Sequence, residues 1–299
     1  MANQTGNSGR PFLLLFGTGR THDSDDVFMA QSGSPKDHNF SPRRPSFDVA
    51  SALANDWHGG SAFRTAWFNA LSMMSPHGER FFIDSVNEFR DRIEDPRLKS
   101  EVHAFLVQEA NHLHQHQKVN ELLCKVRGYD LQAIEGPILR RAEWTRKNVP
   151  AIRRLAGTAA NEHLTAVLVA DMFRHNDSFI GADPVMEELW HWHGVEEIEH
   201  KSVAFDVYQA AGGTLKDRRV VQLFGTVFFL SGTFRILCLM LKHDGKLWSL
   251  REWLSGFKFL LVKPGVLRRA FIPYFRFLRK DFHPWHDDDR YLIEEWQAK

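Results

Sequence analysis

Cysteine is nearly missing from this 299-residue chain, Cys124 and Cys238 being the only two. That excludes a disulfide framework and any thiolate-rich zinc or iron–sulfur site, and it makes a reducing, cytoplasmic setting the expectation. Net charge is also nearly absent, at +1. No Gly-rich phosphate loop is present, and no Ser-His-Asp or Cys-His nucleophile pattern stands out. The apolar stretch Pro11–Phe16 is too short for the core of a secretion signal and lacks a processing site, so no cleavable signal is expected.

What is present is glutamate and histidine at helical spacing. Glu109-Ala-Asn-His112 and Glu197-Ile-Glu-His200 each lie in a strongly helical stretch, and Glu79 and Glu162 complete the chain order Glu, ExxH, Glu, ExxH. Residues three apart on a helix share a face, so each Glu-His pair can converge on one ion. A four-helix bundle holding two metal ions uses this set: one Glu from each of two helices and an ExxH pair from each of the other two. Four carboxylates balance two divalent cations, and the carboxylate–imidazole mixture suits iron, with manganese or zinc as alternatives. A lone ExxH on a helix is usually a surface pair; four pieces in this order are far more specific.

The stripe Trp190, His193, Glu197, His200, Ala204, Val207 defines one inward face of the fourth helix, and Glu109, His112 and His116 give the mirrored order on the second. His193 and His116 are therefore additional candidate ligands, the alternative being that they hydrogen-bond a ligand. Glu196, Glu199, His191 and His114 fall off these stripes and are expected to face solvent or neighbours. His163, next to Glu162, points about 100° away and is expected behind the ligands. Trp190 and Trp192 are expected to pack.

The segments WFNALSMMSPHGERFF (67–82), QEANHLHQH (108–116), TAANEHLTA (158–166) and WHWHGVEEIEHKSVAFD (190–206) resemble a bacterial family labelled "predicted metal-dependent hydrolase", over roughly residues 45–295. The resemblance implies a ferritin-like fold. The metal pattern is also similar to that of the di-iron p-aminobenzoate N-oxygenases, whose last ligand helix carries a His-x-x-x-Glu-x-x-His run that falls here on His193, Glu197 and His200. His116 has no counterpart there.

The expected architecture is all-α: a ferritin-like four-helix bundle over residues 46–212, preceded by a disordered tail (1–45) and followed by a hydrophobic, basic helical extension (213–299). A helix over Ser61–Met74 is expected to break at Pro76, with the first ligand helix running from Gly78-Glu79 to Asp95-Pro96. Leu98–Arg127 is the second. A crossover from Gly128 to about Val149, with a short helix near Trp144, leads to the third helix, from Pro150 to Phe173. Asp183-Pro184 opens the fourth and Gly212-Gly213 closes it.

Residues 213–282 hold 14 Lys and Arg against 4 Asp and Glu, a net of +10, while the rest of the chain carries 24 against 33, a net of −9. Val220–Leu241 is an almost continuous apolar run of 22 residues interrupted by Arg235. It has three readings: a buried core or homodimer helix, a monotopic membrane element, or a span. Trp, Phe and Leu interleave with Lys and Arg from Trp248 to Leu278, a pattern suited to the surface of an anionic membrane at its inner face. No nucleic-acid-binding module accompanies it, so nucleic acid is not expected as a partner.

The expected function is that of a non-haem di-iron oxidoreductase. Two iron ions, held by Glu79, Glu109, His112, His116, Glu162, His193, Glu197 and His200, would reduce O₂ with electrons from a donor and hydroxylate, desaturate or N-oxygenate a small hydrophobic or lipid-like substrate. The alternative is a dinuclear metal-dependent hydrolase. A non-catalytic metal-binding or membrane-associated structural protein is the third reading.

Overall fold

A computed structural model describes residues 31–298, and every regular element among them is helical. The expected residues 1–30 of the tail, Pro11–Phe16 included, lie outside the described part. Helix α1 (Ala50–Leu53) leads into α2 (Ala62–Asn87), α3 (Pro96–Arg127), α4 (Leu131–Asn148), α5 (Ala151–His175), α6 (Pro184–His200) and α7 (Val203–Ala210). The C-terminal part comprises α8 (Leu215–His243), α9 (Leu250–Phe257), α10 (Val266–Arg276) and α11 (Arg290–Gln297).

Pro76 does not break α2. Lacking an N–H, it leaves the Ser72 carbonyl without its usual helical donor. The Asn120 amide on α3 donates to that carbonyl at 2.8 Å, and the Ser72 hydroxyl bonds Asn120 Oδ1 at 2.7 Å. The lost bond is replaced across the α2–α3 contact, so one helix runs from Ser61, whose hydroxyl caps it, past Glu79. It ends at Asn87 rather than Asp95, and a short turn over Arg90–Arg92 precedes α3.

The crossover is more regular than expected, since α4 is a helix of 18 residues. Its internal Pro137 leaves the Ala133 carbonyl free, and Arg235 of α8 reaches both Ala133 O (3.4 Å) and Ile134 O (2.5 Å). The arginine that interrupts the apolar run thus has a structural task. Pro150 is the residue before α5 rather than within its first turn, and α5 continues past Phe173 to His175.

The fourth ligand helix also differs. Rather than running on to Gly212, α6 stops at His200, and the turn at Lys201-Ser202 separates it from α7. The turn lets buried Lys201 reach Asp289 at 2.8 Å, while His38 bonds the Glu199 carbonyl at 2.7 Å and so satisfies the helix end. His38 belongs to the stretch expected to be tail. Residues 31–45 instead lie against α3 and α6, with Ser34 and His38 buried and Ser32 bonded to both Asp95 and Glu101.

The basic extension is not a detached appendage. Helix α8 lies along α2 and α5, α10 against α5, and α11 against α6. Arg218, Gln222 and Thr233 of α8 are buried in the protein, as are Ile236, Leu237, Met240 and Leu241.

His58 lies between Phe68, Phe179 and Phe259, with Nε2 2.9 Å from the Ser178 carbonyl. Burial, the largest influence, pushes its pKa down to about 4. Between pH 6.5 and 4 the unfolded chain therefore binds this proton and the native state does not, so stability falls as pH falls. The expected loss is about 3 kcal/mol at 1.36 kcal/mol per unit. Urea unfolding at both pH values, with His58→Gln retaining the donor to Ser178, checks it: the variant's pH slope should be flatter by that amount, and identical slopes would refute it.

Candidate metal centre

Four helices aim eight acidic and imidazole side chains at one place. Glu79 comes from α2, Glu109, His112 and His116 from α3, Glu162 from α5, and His193, Glu197 and His200 from α6. None is more than 8% exposed. Helical spacing explains the local arrangement, because positions 109, 112 and 116, like 193, 197 and 200, recur on one face of their helices.

Glu197 is the hub. Its Oε1 lies 3.3 Å from His193 Nε2, 3.6 Å from His112 Nδ1 and 3.6 Å from His200 Nε2. His200 Nε2 is also 3.3 Å from Glu109 and 3.2 Å from Glu162, and His112 Nδ1 is 3.5 Å from Glu109. Glu79 approaches His193 Nδ1 at 3.9 Å. Three overlapping groups have ligand atoms close enough to share an ion: Glu79, His116 and His193; His112, His193 and Glu197; Glu109, Glu197 and His200.

Seven of the inward atoms have no hydrogen-bond partner among the described residues: Glu79 Oε2, both Glu109 oxygens, His112 Nδ1, both Glu162 oxygens and His200 Nε2. Unsatisfied buried carboxylates are costly unless a cation answers them. Burial first, then the neighbouring Glu162 and Glu197 carboxylates, hold Glu109 well above the usual carboxylate range. Burial and then Glu197 push Glu162 up to about 7, and burial pushes Glu79 up to about 8. For Glu197 burial acts upward too, yet the adjacent His193 and His200 imidazoles outweigh it and keep this carboxyl well below its usual range. A protein surrounding that disfavours so many carboxylates in one pocket fits divalent cations.

The imidazoles are oriented from behind. His112 Nε2 meets Glu196 Oε2 at 3.0 Å, and His200 Nδ1 meets Gln108 Oε1 at 3.0 Å. Donation there leaves His112 Nδ1 and His200 Nε2 as lone pairs facing the centre. Gln108 is in turn held by Glu199 at 2.9 Å, and Arg43 binds Glu199 at 2.6 Å and Glu196 at 3.3 Å. Thr165 donates to Glu197 at 2.6 Å and Ser75 donates to Glu79.

One expectation about these neighbours is corrected, that for His163. Glu196 and Glu199 are buried and paired, because the Arg43 guanidinium covers the face that their position on the helix turns away from the metal ligands. His163 is not behind the ligands: it faces α10, with Nε2 3.1 Å from the Tyr274 carbonyl and its ring stacked on Phe277. His114 is exposed, and His191 packs beside Phe173. Trp190 and Trp192 pack against His116 and His112 respectively. Arg43 was invisible because its segment has no periodicity; Gln108 was detectable only as the residue before Glu109, one turn from His112.

Residues 41–288 match the family described as "Predicted metal-dependent hydrolase". The chain belongs to that family. No curated protein and no solved structure matches it. The family's name implies a metal-dependent enzyme, and the matched region of the chain contains all eight converging residues as well as Arg43, Gln108, Glu196 and Glu199. The buried His/Glu groups could bind metal ions.

A cavity of about 990 Å³ reaches this cluster at Glu79, His193 and Glu197. Its walls are mostly apolar, among them Phe68, Leu71, Met74, Phe81, Leu168 and Phe228. Its lining also includes Arg141 and Trp144 of α4, which are exposed.

Both nitrogens of His116 are already engaged, Nδ1 by Ser72 Oγ at 2.8 Å and Nε2 by His193 Nδ1 at 3.0 Å. His116→Ala is therefore expected to keep the full metal complement while changing reactivity through a loosened His193. Metal analysis alongside turnover checks this; loss of one equivalent would make His116 a ligand.

Proposed function

We propose that this chain is a ferritin-like di-iron oxidoreductase that uses O₂ and an external electron donor to hydroxylate, desaturate or N-oxygenate a hydrophobic substrate. In this reading α2, α3, α5 and α6 are the four bundle helices, and α4, about 27 Å long at 1.5 Å per residue, carries the chain from the second to the third. The observation that carries the metal assignment is the set of seven buried ligand atoms, contributed by four helices, that have no hydrogen-bond partner among the described residues. Two ferrous ions bound there would supply the reduction of O₂ that attack on an unactivated C–H or N–H bond requires.

The protein's own residues have separate tasks. Glu109, Glu162, Glu197 and Glu79 balance the metal charge, while His112, His193 and His200 present imidazole nitrogens oriented by Glu196, His116 and Gln108 respectively. The phenylalanine- and leucine-lined cavity orients an apolar substrate beside Glu79, His193 and Glu197 and excludes water from their side of the centre. Such walls offer little to polarise an ester or amide, which is why oxidation is preferred.

The family description favours the second reading, hydrolysis by water activated between two metals. Metal identity and O₂ dependence separate the two. Protein purified without added metal should contain two irons per chain and consume O₂ when reduced; two zincs or manganeses with anaerobic turnover would establish hydrolysis instead.

A further inference from the structure

Of the 18 large hydrophobic side chains exposed among the described residues, 13 lie between Leu223 and Phe275, on α8, α9, α10 and the turns joining them. This is a concentration, not the scatter expected of a soluble surface. Trp248 is 92% exposed, Leu250 and Ile272 71%, Phe271 62%, and Leu254 and Phe257 60%.

Both short helices turn their apolar faces outward. On α9, Glu252 faces the protein, accepting from Ser61 Oγ at 2.9 Å and Phe63 N at 3.0 Å, and Trp253 packs against Phe63 and Phe234. Leu250, Leu254, Phe257 and Leu261, at steps of four, three and four, occupy the outer side. On α10 Ala270 and Tyr274 are buried, the Tyr274 hydroxyl lies 2.7 Å from Thr226, and Arg269 pairs inward with Asp171 and Asp177. Phe271, Ile272 and Phe275 point away. Because α9 and α10 meet α8 through Trp253–Phe234 and Tyr274–Thr226, their outer faces flank one helix.

Lysine and arginine interleave with these residues. Lys242, Lys246, Arg251, Lys258 and Lys263 are exposed, with no ion-pair partner among the described residues. Lysine is depleted in protein–protein interfaces, whereas aromatic and aliphatic side chains among cations suit the headgroup–acyl boundary of an anionic bilayer.

We propose that α9, α10 and the outer face of α8 form a monotopic docking surface for an anionic lipid bilayer. Helix α8 lies on the membrane rather than through it, because its other side is built into the core and Arg235 is committed to α4. Docking does not depend on the metal assignment. Its functional consequence rests on the oxidoreductase reading: Val221, Phe224 and Phe228 of α8 also line the cavity, so an apolar substrate dissolved in the bilayer has a short path to the centre.

The test is co-sedimentation of the full chain with vesicles of phosphatidylglycerol and phosphatidylcholine, against phosphatidylcholine alone, at about 0.1 M and about 1 M salt. Binding is expected to the anionic vesicles only and to weaken at high salt. The triple variant Leu250→Asp, Leu254→Asp, Ile272→Asp, all outward-facing, should bind at least about tenfold less, with unchanged helical content and metal content. Absence of vesicle binding by the unmodified chain overturns the proposal, as does a dimer that binds no vesicles and that the triple variant dissociates, which would assign the surface to a second copy. Metal content in the same samples reads the centre separately.

Discussion

Glu197→Ala is expected to strip the centre of metal and abolish turnover. Among the described residues no other carboxylate lies within 3.6 Å of three imidazoles, here those of His193, His112 and His200. Truncation would leave those rings and the Glu109 and Glu162 carboxylates without the group that ties the two ends of the cluster together. Loss of a hydrogen-bonding partner behind a ligand typically weakens metal binding by roughly 10- to 100-fold, so removal of the hub should exceed that. The metal-loaded protein's thermal midpoint should fall to that of the metal-stripped protein, because metal affinity and folding are linked. Elemental analysis, helical content and turnover measured together decide the matter. A folded Glu197→Ala protein with full metal and normal turnover would defeat the assignment of the whole site.

The second large effect is expected from filling the cavity. A Cβ added at Gly225 meets nothing within 4 Å among the described residues, and Gly225 lines the cavity wall on α8. Gly225→Phe should therefore place a ring in space meant for substrate without straining the helix, and should stabilise the fold slightly, by about 0.5 kcal/mol, since glycine is a poor helix former. Displacement of an environment-sensitive apolar dye should weaken by at least about tenfold with metal content unchanged, while Gly225→Ala should bind nearly as the unmodified chain does. A variant that is more stable yet binds less separates cavity loss from unfolding. Unaltered dye affinity in Gly225→Phe would remove this cavity from the substrate path.

Much of the centre was legible in the sequence because its geometry is local. The ExxH spacing on α3 and α6 depends only on helical pitch, and the structure brings all eight expected residues together in the core. The outer hydrogen bonds were not legible, for a physical reason. Arg43 lies 153 residues before Glu196, and Gln108 lies 92 before His200; such pairs are made by tertiary packing, with no periodic signal at either end. The same reason explains Pro76. As a sequence signal it reads as a helix break, and only the approach of Asn120 from a neighbouring helix replaces the missing donor.

The sequence by itself determined that the chain is helical, that two cysteines are too few for a disulfide framework or a thiolate-rich metal site, and that glutamate and histidine recur at the pitch needed to share metal ions, since each follows from composition or from spacing within one helix. Tertiary structure decided which nitrogen of each imidazole faces the centre, that His163 serves α10 instead, that residues 31–45 close over α3 and α6, and that the longest apolar run carries its buried side into the core. These depend on which helices meet and at what rotation, which is fixed when apolar and polar faces from distant parts of the chain are matched.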